Sequence, residues 1–446
     1  MKPITLKEIA NACSGKLVGD ENTVITSVET DSRKVVSGTL FAAIPGNRVD
    51  GHDFIESSIE KGMACALCER EPNCNTPYIL VPSTLQALKD IAAYYRSLFT
   101  IPIIGITGSV GKTSTKEMIA SVLSVKYKIH KTEKNFNSQI GVPLTVFGIE
   151  EDTEISIIEM GISDFGEMSN LAKIVKPDIC VFTNIGDCHL EALKDRDGVF
   201  RAKTEMLDFV KPQTKVFYNA NDKQLWKIKD FANITPVPFG FDISDKYYAT
   251  NVQTVQGKGV LATLVLDNEK VDVTIPAIGE FMVLNALCAA GIGKQFNMTN
   301  EEIKKGIESF ENVGSRSRVI DTGFIMLIDD CYNANPTSVK ASINSLSKFM
   351  SRKVAVIGDM KELGENENDL HKQVAEYILS KGIDLLICAG KLCENMAKVS
   401  NTVVHFDTTE DCAENISKYI EKGDTVLVKA SHSMHFEKIV EKLKEL

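Results

Sequence analysis

Residues 101–123 read IPIIGITGSVGKTSTKEMIASVL. An apolar run of strand length ends near Ile106 and meets a glycine-rich turn. A helical pattern then begins near Lys112, with Met118, Ile119, Val122 and Leu123 facing inward. Strand, turn and helix in this order aim backbone N–H groups at one point, at the positive end of a helix dipole. Gly108 and Gly111 let the backbone approach an anion closely. Lys112 can reach terminal phosphates, and the Thr113 hydroxyl can ligate Mg²⁺. The candidate phosphate cradle is therefore Thr107, Gly108, Ser109, Val110, Gly111, Lys112 and Thr113. It is a variant. The common pattern, G-x-x-x-x-G-K-[ST], puts its first glycine where this chain has Ile106, and Gly108 serves instead. A chance Gly-Lys-Thr in a loop is the competing reading, and the strand before and helix after it argue against that.

The chain around this stretch alternates in the same way. ISIIEMG (155–161), DICVFTNIG (178–186) and TKVFYNA (214–220) are apolar runs separated by helix-length polar segments. That is the pattern of a parallel sheet with crossover helices. The carboxyl ends of such strands share one rim with the phosphate turn. Glu159 and, beyond the next strand, Asn184 and His189 fall on that rim. Glu159 and His189 can thus converge on a metal beside the phosphates. Mg²⁺ takes few protein ligands and keeps water and phosphate oxygens, although histidine is unusual for so hard an ion. A histidine after a strand is also a common loop or capping residue. Cys188 beside it lacks a partnering base and reads as a bystander. By composition alone Lys203, in Ala-Lys-Thr-Glu, is a solvated helix lysine.

Outward from this core, residues up to about 80 mix short strands with Ser-Gly, Pro-Gly and Asp-Gly turns. TLQALKDIAAYYRSLF (84–99) puts Leu85, Leu88, Ile91, Ala92, Tyr95 and Leu98 on one helical face. Residues 247–276 look like antiparallel strands and LNALCAAGIGKQF like a helix. GFIMLIDDCYNANP, KVAVIGDM, DLLICAG and TVLVKAS resume the strand–loop pattern, and a last helix carries Phe436, Ile439, Val440 and Leu443. The expected class is α/β in three domains. They are a small α/β N-terminal domain (1–99), a central mostly parallel sheet with helices on both faces (100–312), and a C-terminal Rossmann-like domain (313–446).

Composition narrows the functional classes. A formal net charge of −10 argues against a general affinity for nucleic acid. No apolar run approaches the ~20 residues of a membrane span. MKPITLKEIANACSGK lacks the apolar core of a signal peptide and reads as a helix start, with Thr5 and Glu8 at capping-box spacing. Eleven scattered cysteines fit reduced thiols in the cytoplasm. A zinc site at Cys65, Cys68 and Cys74 would want a fourth ligand, and none is evident.

These motifs resemble those of the Mur ligases of peptidoglycan synthesis over nearly the whole chain. DSRKVVSGTLFAAIPGNRVDGHDFI is similar to the family's UDP-sugar-binding segment. TGSVGKT, TEKNFNSQIGVPLT, IEMG, TNIGDCHLE and AKTE are similar to its central-domain motifs, and DDCYNANPTS, VIGDMKELG and LVKASHSM to its C-terminal ones. Tyr-Asn-Ala-Asn-Pro and Gly-Asp-Met-x-Glu-Leu-Gly are most specific for the branch that adds D-alanyl-D-alanine to UDP-N-acetylmuramoyl-tripeptide. The branch that adds the third residue usually carries Asp-Asn-Pro-Arg, absent here.

The resemblance implies ATP as cofactor and an acyl-phosphate intermediate. It implies two Mg²⁺ ions held by Thr113, Glu159, His189 and Lys203, the last carbamylated by CO₂. Only a neutral amine attacks CO₂, so the site must depress the lysine pKa. Lys112, Glu159, His189 and Lys203 are then the catalytic set. Asn285, Arg316 and Asp330 match nucleotide contacts, and Asp330 equally a dipeptide contact. Ser32 and Arg33 match the uridine-sugar loop, Thr132, Asn135, Asn137 and Ser138 the muramoyl and phosphate side, and Tyr332, Asn333 and Asn335 the C-terminal substrate phrase. Small-molecule substrates, a monomer and a cytoplasmic location follow. The chain departs from the family pattern at Lys134 and Ala430 (usually glycine), Ser138 (asparagine), Phe281 (histidine), His432 (arginine) and Arg318 (acidic). A sister amide ligase, either the Mur branch that adds the third residue or a folylpolyglutamate synthetase, and an ATPase that drives a partner protein are the competing readings.

Overall fold

The strand Ile103–Thr107 lies inside a nine-stranded sheet and is buried along its whole length. The structure is a computed structural model that describes residues 1–446 except 47–48, 256–258 and 313. Ile155–Glu159 and Ile179–Phe182 flank the strand, both parallel to it. All are continuous apolar runs, as strands covered on both faces require. Across the sheet the order is Ile129–Lys131, Ile155–Glu159, Ile103–Thr107, Ile179–Phe182, Thr214–Asn219 and Ile234–Gly240. Tyr247–Val255, Gly259–Leu266 and Glu269–Ile275 follow as the expected antiparallel extension, whose residues 256–258 lie outside the described ones. After Ile103–Thr107 the chain goes to the edge strand Ile129–Lys131, returns to Ile155–Glu159 beside it, and then crosses to Ile179–Phe182 on the other side and works outward from there. The crevice therefore opens at the carboxyl end of that strand, where the phosphate turn begins.

Ile234–Gly240 escapes a reading by pattern because Pro236 and Pro238 speak against a strand. It is tolerated because Ile234–Pro238 pair only with Thr214–Tyr218, while Tyr247–Val255 joins only at Phe239 and Gly240. The missing proline N–H groups fall on the open side.

Lys112–Leu123, Phe281–Gln295 and Asn300–Glu308 cover one face, with Met118, Ile119, Val122 and Leu123 buried there as their spacing predicts. Gly141–Phe147, Glu167–Val175 and Arg196–Thr204 cover the other.

A five-stranded sheet (Lys16–Val18, Tyr78–Leu80, Met63–Cys68, Thr39–Ala42, Ser27–Glu29) forms the N-terminal unit. Thr5 and Glu8 make the expected capping box. Asn47 and Arg48 of the UDP-sugar-like segment lie outside the described residues. On the helix Thr84–Ser97, Leu88, Ile91, Ala92 and Tyr95 are buried, while Leu85 and Leu98 are half-buried. One apolar cluster runs from Leu6 and Ile9 through this helix to Val142 and Leu171. The N-terminal unit and the central sheet thus share a core. The Tyr95 hydroxyl clamps the seam, donating to the Ile149 carbonyl at 2.7 Å and accepting from the Lys2 amide at 2.6 Å.

A six-stranded sheet forms the C-terminal unit, in the order Arg318–Asp321, Met326–Asp329, Thr425–Lys429, Lys353–Gly358, Leu385–Ala389, Val404–Phe406. Only the first strand is antiparallel to its neighbour. Phe436, Ile439, Val440 and Leu443 are buried around the last helix, Glu437–Lys444. Among the described residues no helix is long and apolar enough to cross a membrane.

Candidate active site

The cradle is fixed by close backbone packing. Gly108 has φ +152°, and a Cβ there would come within 1.9 Å of the Thr183 hydroxyl, so only glycine fits. Gly111, at φ +81°, turns the chain into the helix Lys112–Leu123. The Ser109 and Val110 amides both donate to Asn184 Oδ1, at 3.1 and 2.8 Å, and the Thr183 hydroxyl donates to the Val110 carbonyl at 2.6 Å. Thr107 closes the strand end by donating to the Met160 carbonyl. Lys112 Nζ donates to the Gly108 carbonyl at 2.8 Å, which lays its ammonium over the turn. The Cys188 thiol donates to the Ser109 hydroxyl at 3.1 Å.

Below the cradle, the Thr113 hydroxyl donates to Glu159 Oε2 at 2.8 Å, and Glu159 is 2% exposed. Asn137 Nδ2 donates to the other carboxylate oxygen at 2.7 Å, and the Glu159 amide donates to the Thr132 hydroxyl at 2.9 Å. Lys116, also buried, stands 4.0 Å from Glu159 and donates to the Thr132 carbonyl. Thr113 and Glu159 together offer hard oxygens of the kind Mg²⁺ takes. Thr132 and Asn137 thus meet Glu159, whereas Asn135 and Ser138 are exposed farther along the same segment. Lys134 sits at φ +49°, which is the conformation that favours the family's glycine.

Lys203 is not a solvated lysine. It is 1% exposed and, among the described residues, forms no ion pair. Burial pushes its ammonium down to about 8; nearby Cys188 opposes the shift and Lys112 adds to it. His189 stands at the N-terminal boundary of the short helix Leu190–Leu193 at φ +50°, and its side chain makes no capping hydrogen bond there. Burial pushes its imidazolium down, Glu362 opposes this, and Lys203 and Lys112 reinforce it. Lys112, Lys203 and His189 therefore lie close enough for their charges to act on one another. His189 Nδ1 lies 2.7 Å from a carboxylate oxygen of Glu362, in the C-terminal unit.

The C-terminal unit closes over this rim. A Cβ on Gly186 would come within 2.8 Å of the Thr337 hydroxyl, and one on Gly364 within 3.4 Å of the Glu191 amide. Arg316 stacks on the Tyr332 ring at 3.8 Å, and His432 lies beside that ring at 5.4 Å. Asp330 accepts from Ser342 at 2.6 Å, Lys429 at 2.7 Å and the Ser317 amide at 2.9 Å. Asn333 accepts from the Ala334 amide, and Asn335 caps the helix Pro336–Leu346. These hydrogen bonds shape the loop beside the Arg316–Tyr332 stack. Asn285 accepts from the Thr115 hydroxyl at 3.0 Å and so pins the cradle's helix.

In the N-terminal unit Arg33 pairs with Asp31, whose carboxyl it holds down to about 2. Lys34 Nζ lies 5.2 Å over the Phe136 ring. That contact sets the Ser32–Arg33 loop beside the Thr132–Ser138 segment.

Asn184, Lys116, Lys429 and Glu362 have no assigned role in the sequence reading. Lys116 lies one helical turn after Lys112, and Lys429 ends an apolar strand on the C-terminal rim, so both carried a usable signal. Glu362 lies in the Gly-Asp-Met-x-Glu-Leu-Gly phrase, which marked the segment without pointing to His189.

Comparison with known proteins agrees with this geometry. Residues 24–96 match the catalytic domain of the Mur ligase family, 106–293 the Mur ligase middle domain, and 315–432 the Mur ligase glutamate ligase domain. The chain is 36% identical to the UDP-N-acetylmuramoyl-tripeptide–D-alanyl-D-alanine ligase of Bacillus subtilis strain 168, over 99% of this chain and 98% of the relative. It superposes on a MurF crystal structure from Acinetobacter baumannii with a TM-score of 0.93 at 28% identity, covering 100% of both chains. MurF from Thermotoga maritima, solved in complex with ADP, gives a TM-score of 0.86 at 27% identity, over 94% of this chain and 97% of that one. With its cradle, its Thr113–Glu159 corner and its buried Lys203 set in that three-unit frame, the chain belongs to the Mur ligase family.

Proposed function

We propose that the chain is an ATP-dependent amide ligase that joins D-alanyl-D-alanine to the free carboxylate of UDP-N-acetylmuramoyl-tripeptide, in cytoplasmic assembly of the peptidoglycan precursor. The observation that carries this reading is the phosphate cradle capped by Lys112, with the buried Thr113–Glu159 oxygens directly beneath it. Full-length likeness to ligases of that name supports the choice of substrates.

The tripeptide carboxylate attacks the γ-phosphorus of ATP, giving an acyl phosphate and ADP. The dipeptide amine then attacks the acyl carbon, and phosphate leaves. The first step brings two anions together, so neutralising charge is the main task. The cradle amides and Lys112 bind and orient the phosphates. Thr113, Glu159, His189 and a carbamylated Lys203 would hold two Mg²⁺ ions, which when bound screen the reacting anions. The donor set suits them: two oxygens lie side by side in a buried corner, and a buried amine that forms no ion pair among the described residues is pushed down to about 8. Asn285, Arg316 and Asp330 serve the nucleotide. Ser32 and Arg33 serve the uridine sugar, Thr132, Asn135, Asn137 and Ser138 the muramoyl side, and Tyr332, Asn333 and Asn335 the dipeptide side. In this reading residues 1–99, 100–312 and 313–446 act as three units of a monomer. Eleven free thiols, all buried but the half-buried Cys74, suit a reducing compartment.

The test is ADP release from purified protein with UDP-N-acetylmuramoyl-tripeptide, with and without D-alanyl-D-alanine. Turnover that needs both substrates is expected. Turnover only with a single amino acid or glutamate would point to a sister ligase and overturn the dipeptide reading.

A further inference from the structure

The contact between His189 and Glu362 crosses between two units and joins two strained positions. His189 has φ +50° and Glu362 φ +64°, the left-handed region that side chains other than glycine occupy at a cost. Glu362 is nevertheless firmly presented. On its N-terminal side the Met360 amide donates to His371 Nε2 at 2.9 Å, and the Lys361 amide donates to the Ser431 hydroxyl at 2.9 Å. Lys361 Nζ also pairs with Asp359 at 2.8 Å, and Leu363 on the other side is buried. The loop is thus held at both shoulders while its carboxylate reaches out to the imidazole.

A carboxylate only accepts, so at 2.7 Å it requires the proton on His189 Nδ1. That leaves the Nε2 lone pair free on the far side of the ring. We propose that Glu362 is a positioning residue. It selects the Nδ1–H tautomer of His189, turns Nε2 toward the cation corner, and makes this ligand ready only while the C-terminal unit is docked. The proposal rests on the reading of His189 as a metal ligand. It adds that the ligand is prepared by a different unit from the one that carries it. A carboxylate behind a ligating histidine raises the basicity and fixes the orientation of the ring, and losing one commonly costs 10- to 100-fold in metal affinity.

Two measurements on the full-length protein test this. In metal-free protein, ¹⁵N-histidine correlation spectra read the tautomer directly, with the His189 signals assigned by their loss in His189→Asn. Wild type is expected to show the Nδ1–H form alone. Glu362→Ala should show a mixture, and Glu362→Gln, whose amide oxygen still accepts, should keep most of the Nδ1–H form. Glu362 is largely exposed, so neither change should disturb folding. In the second measurement, paramagnetic resonance follows Mn²⁺ binding in the presence of ADP, without turnover. Expected are at least tenfold weaker binding in Glu362→Ala and an intermediate value in Glu362→Gln. An unchanged tautomer in Glu362→Ala overturns the proposal. So does unchanged Mn²⁺ affinity in Glu362→Ala beside weakened affinity in His189→Asn, which leaves the ligand reading standing. Unchanged affinity in His189→Asn removes the ligand reading itself, and the proposal with it.

Discussion

Lys429 donates to the Asp330 carboxylate at 2.7 Å, and both groups are buried. The pair ties the ends of Met326–Asp329 and Thr425–Lys429 together, under the loop that carries the Arg316–Tyr332 stack. Lys429→Met would strand the carboxylate with only Ser342 and the Ser317 amide as donors. Breaking a buried pair from one side costs roughly 3 kcal/mol, more than the pair itself contributes. Urea unfolding should show that loss in Lys429→Met and recover much of it in Lys429→Met/Asp330→Asn. A single variant as stable as wild type would mean that the pair is solvated in solution.

Lys112→Ala separates catalysis from folding. The ammonium ends on the Gly108 carbonyl at the mouth of the cradle, outside the apolar clusters. ADP release should fall roughly a thousandfold, the scale of losing a group that answers developing charge. The unfolding free energy should stay within about 0.5 kcal/mol of wild type. A variant that keeps a tenth of its turnover would remove Lys112 from the phosphate site.

What the sequence disclosed and what it hid divides along chain distance. The cradle was legible because strand, turn and helix are contiguous and each has its own local signal. Glu159 was legible because strand ends in a parallel sheet share a rim. The burial of Lys203 was not, because Arg196–Thr204 is rich in charge and only its packing on the sheet decides which charges are covered. Asp330 is engaged by a lysine 99 residues away, and no window of sequence contains both. Ile234–Gly240 was masked by prolines whose acceptability depends on which side of the strand is open.

Lys134 offers a test of backbone strain at a place where the chain departs from its family. An exposed lysine at φ +49° bears about 1 kcal/mol that glycine would not. Glycine in turn loses more chain entropy on folding, by roughly 0.5–1 kcal/mol. Lys134→Gly should therefore be neutral to slightly stabilising, whereas Lys134→Val should destabilise by more than 1 kcal/mol, roughly, because a β-branched side chain resists this region. Thermal unfolding of both variants checks the order. A clear loss in Lys134→Gly would show that the lysine side chain makes a contact that outweighs the strain.

Lys203 joins stability to activity. Its ammonium ionises near 8 in the folded protein against an ordinary 10.5, because burial disfavours the charge. At lower pH both folded and unfolded states are protonated, and the native state bears the buried charge. Between about 8 and 10.5 the native state has shed a proton that the unfolded chain still holds, so stability from this group rises with pH. Above that window both states are neutral and the penalty is gone. The full swing is roughly 3 kcal/mol. In CO₂-free buffer, wild type should therefore gain on Lys203→Met as pH rises through the window, as read by denaturant unfolding. A constant difference would mean that Lys203 is solvated. In ligation assays Lys203→Ala should be inactive and regain part of its turnover with short carboxylic acids, which restore an anion where the carbamate would stand. Full turnover in Lys203→Ala without any additive would show that no anion is needed at that position, and the proposed second cation site would go with it.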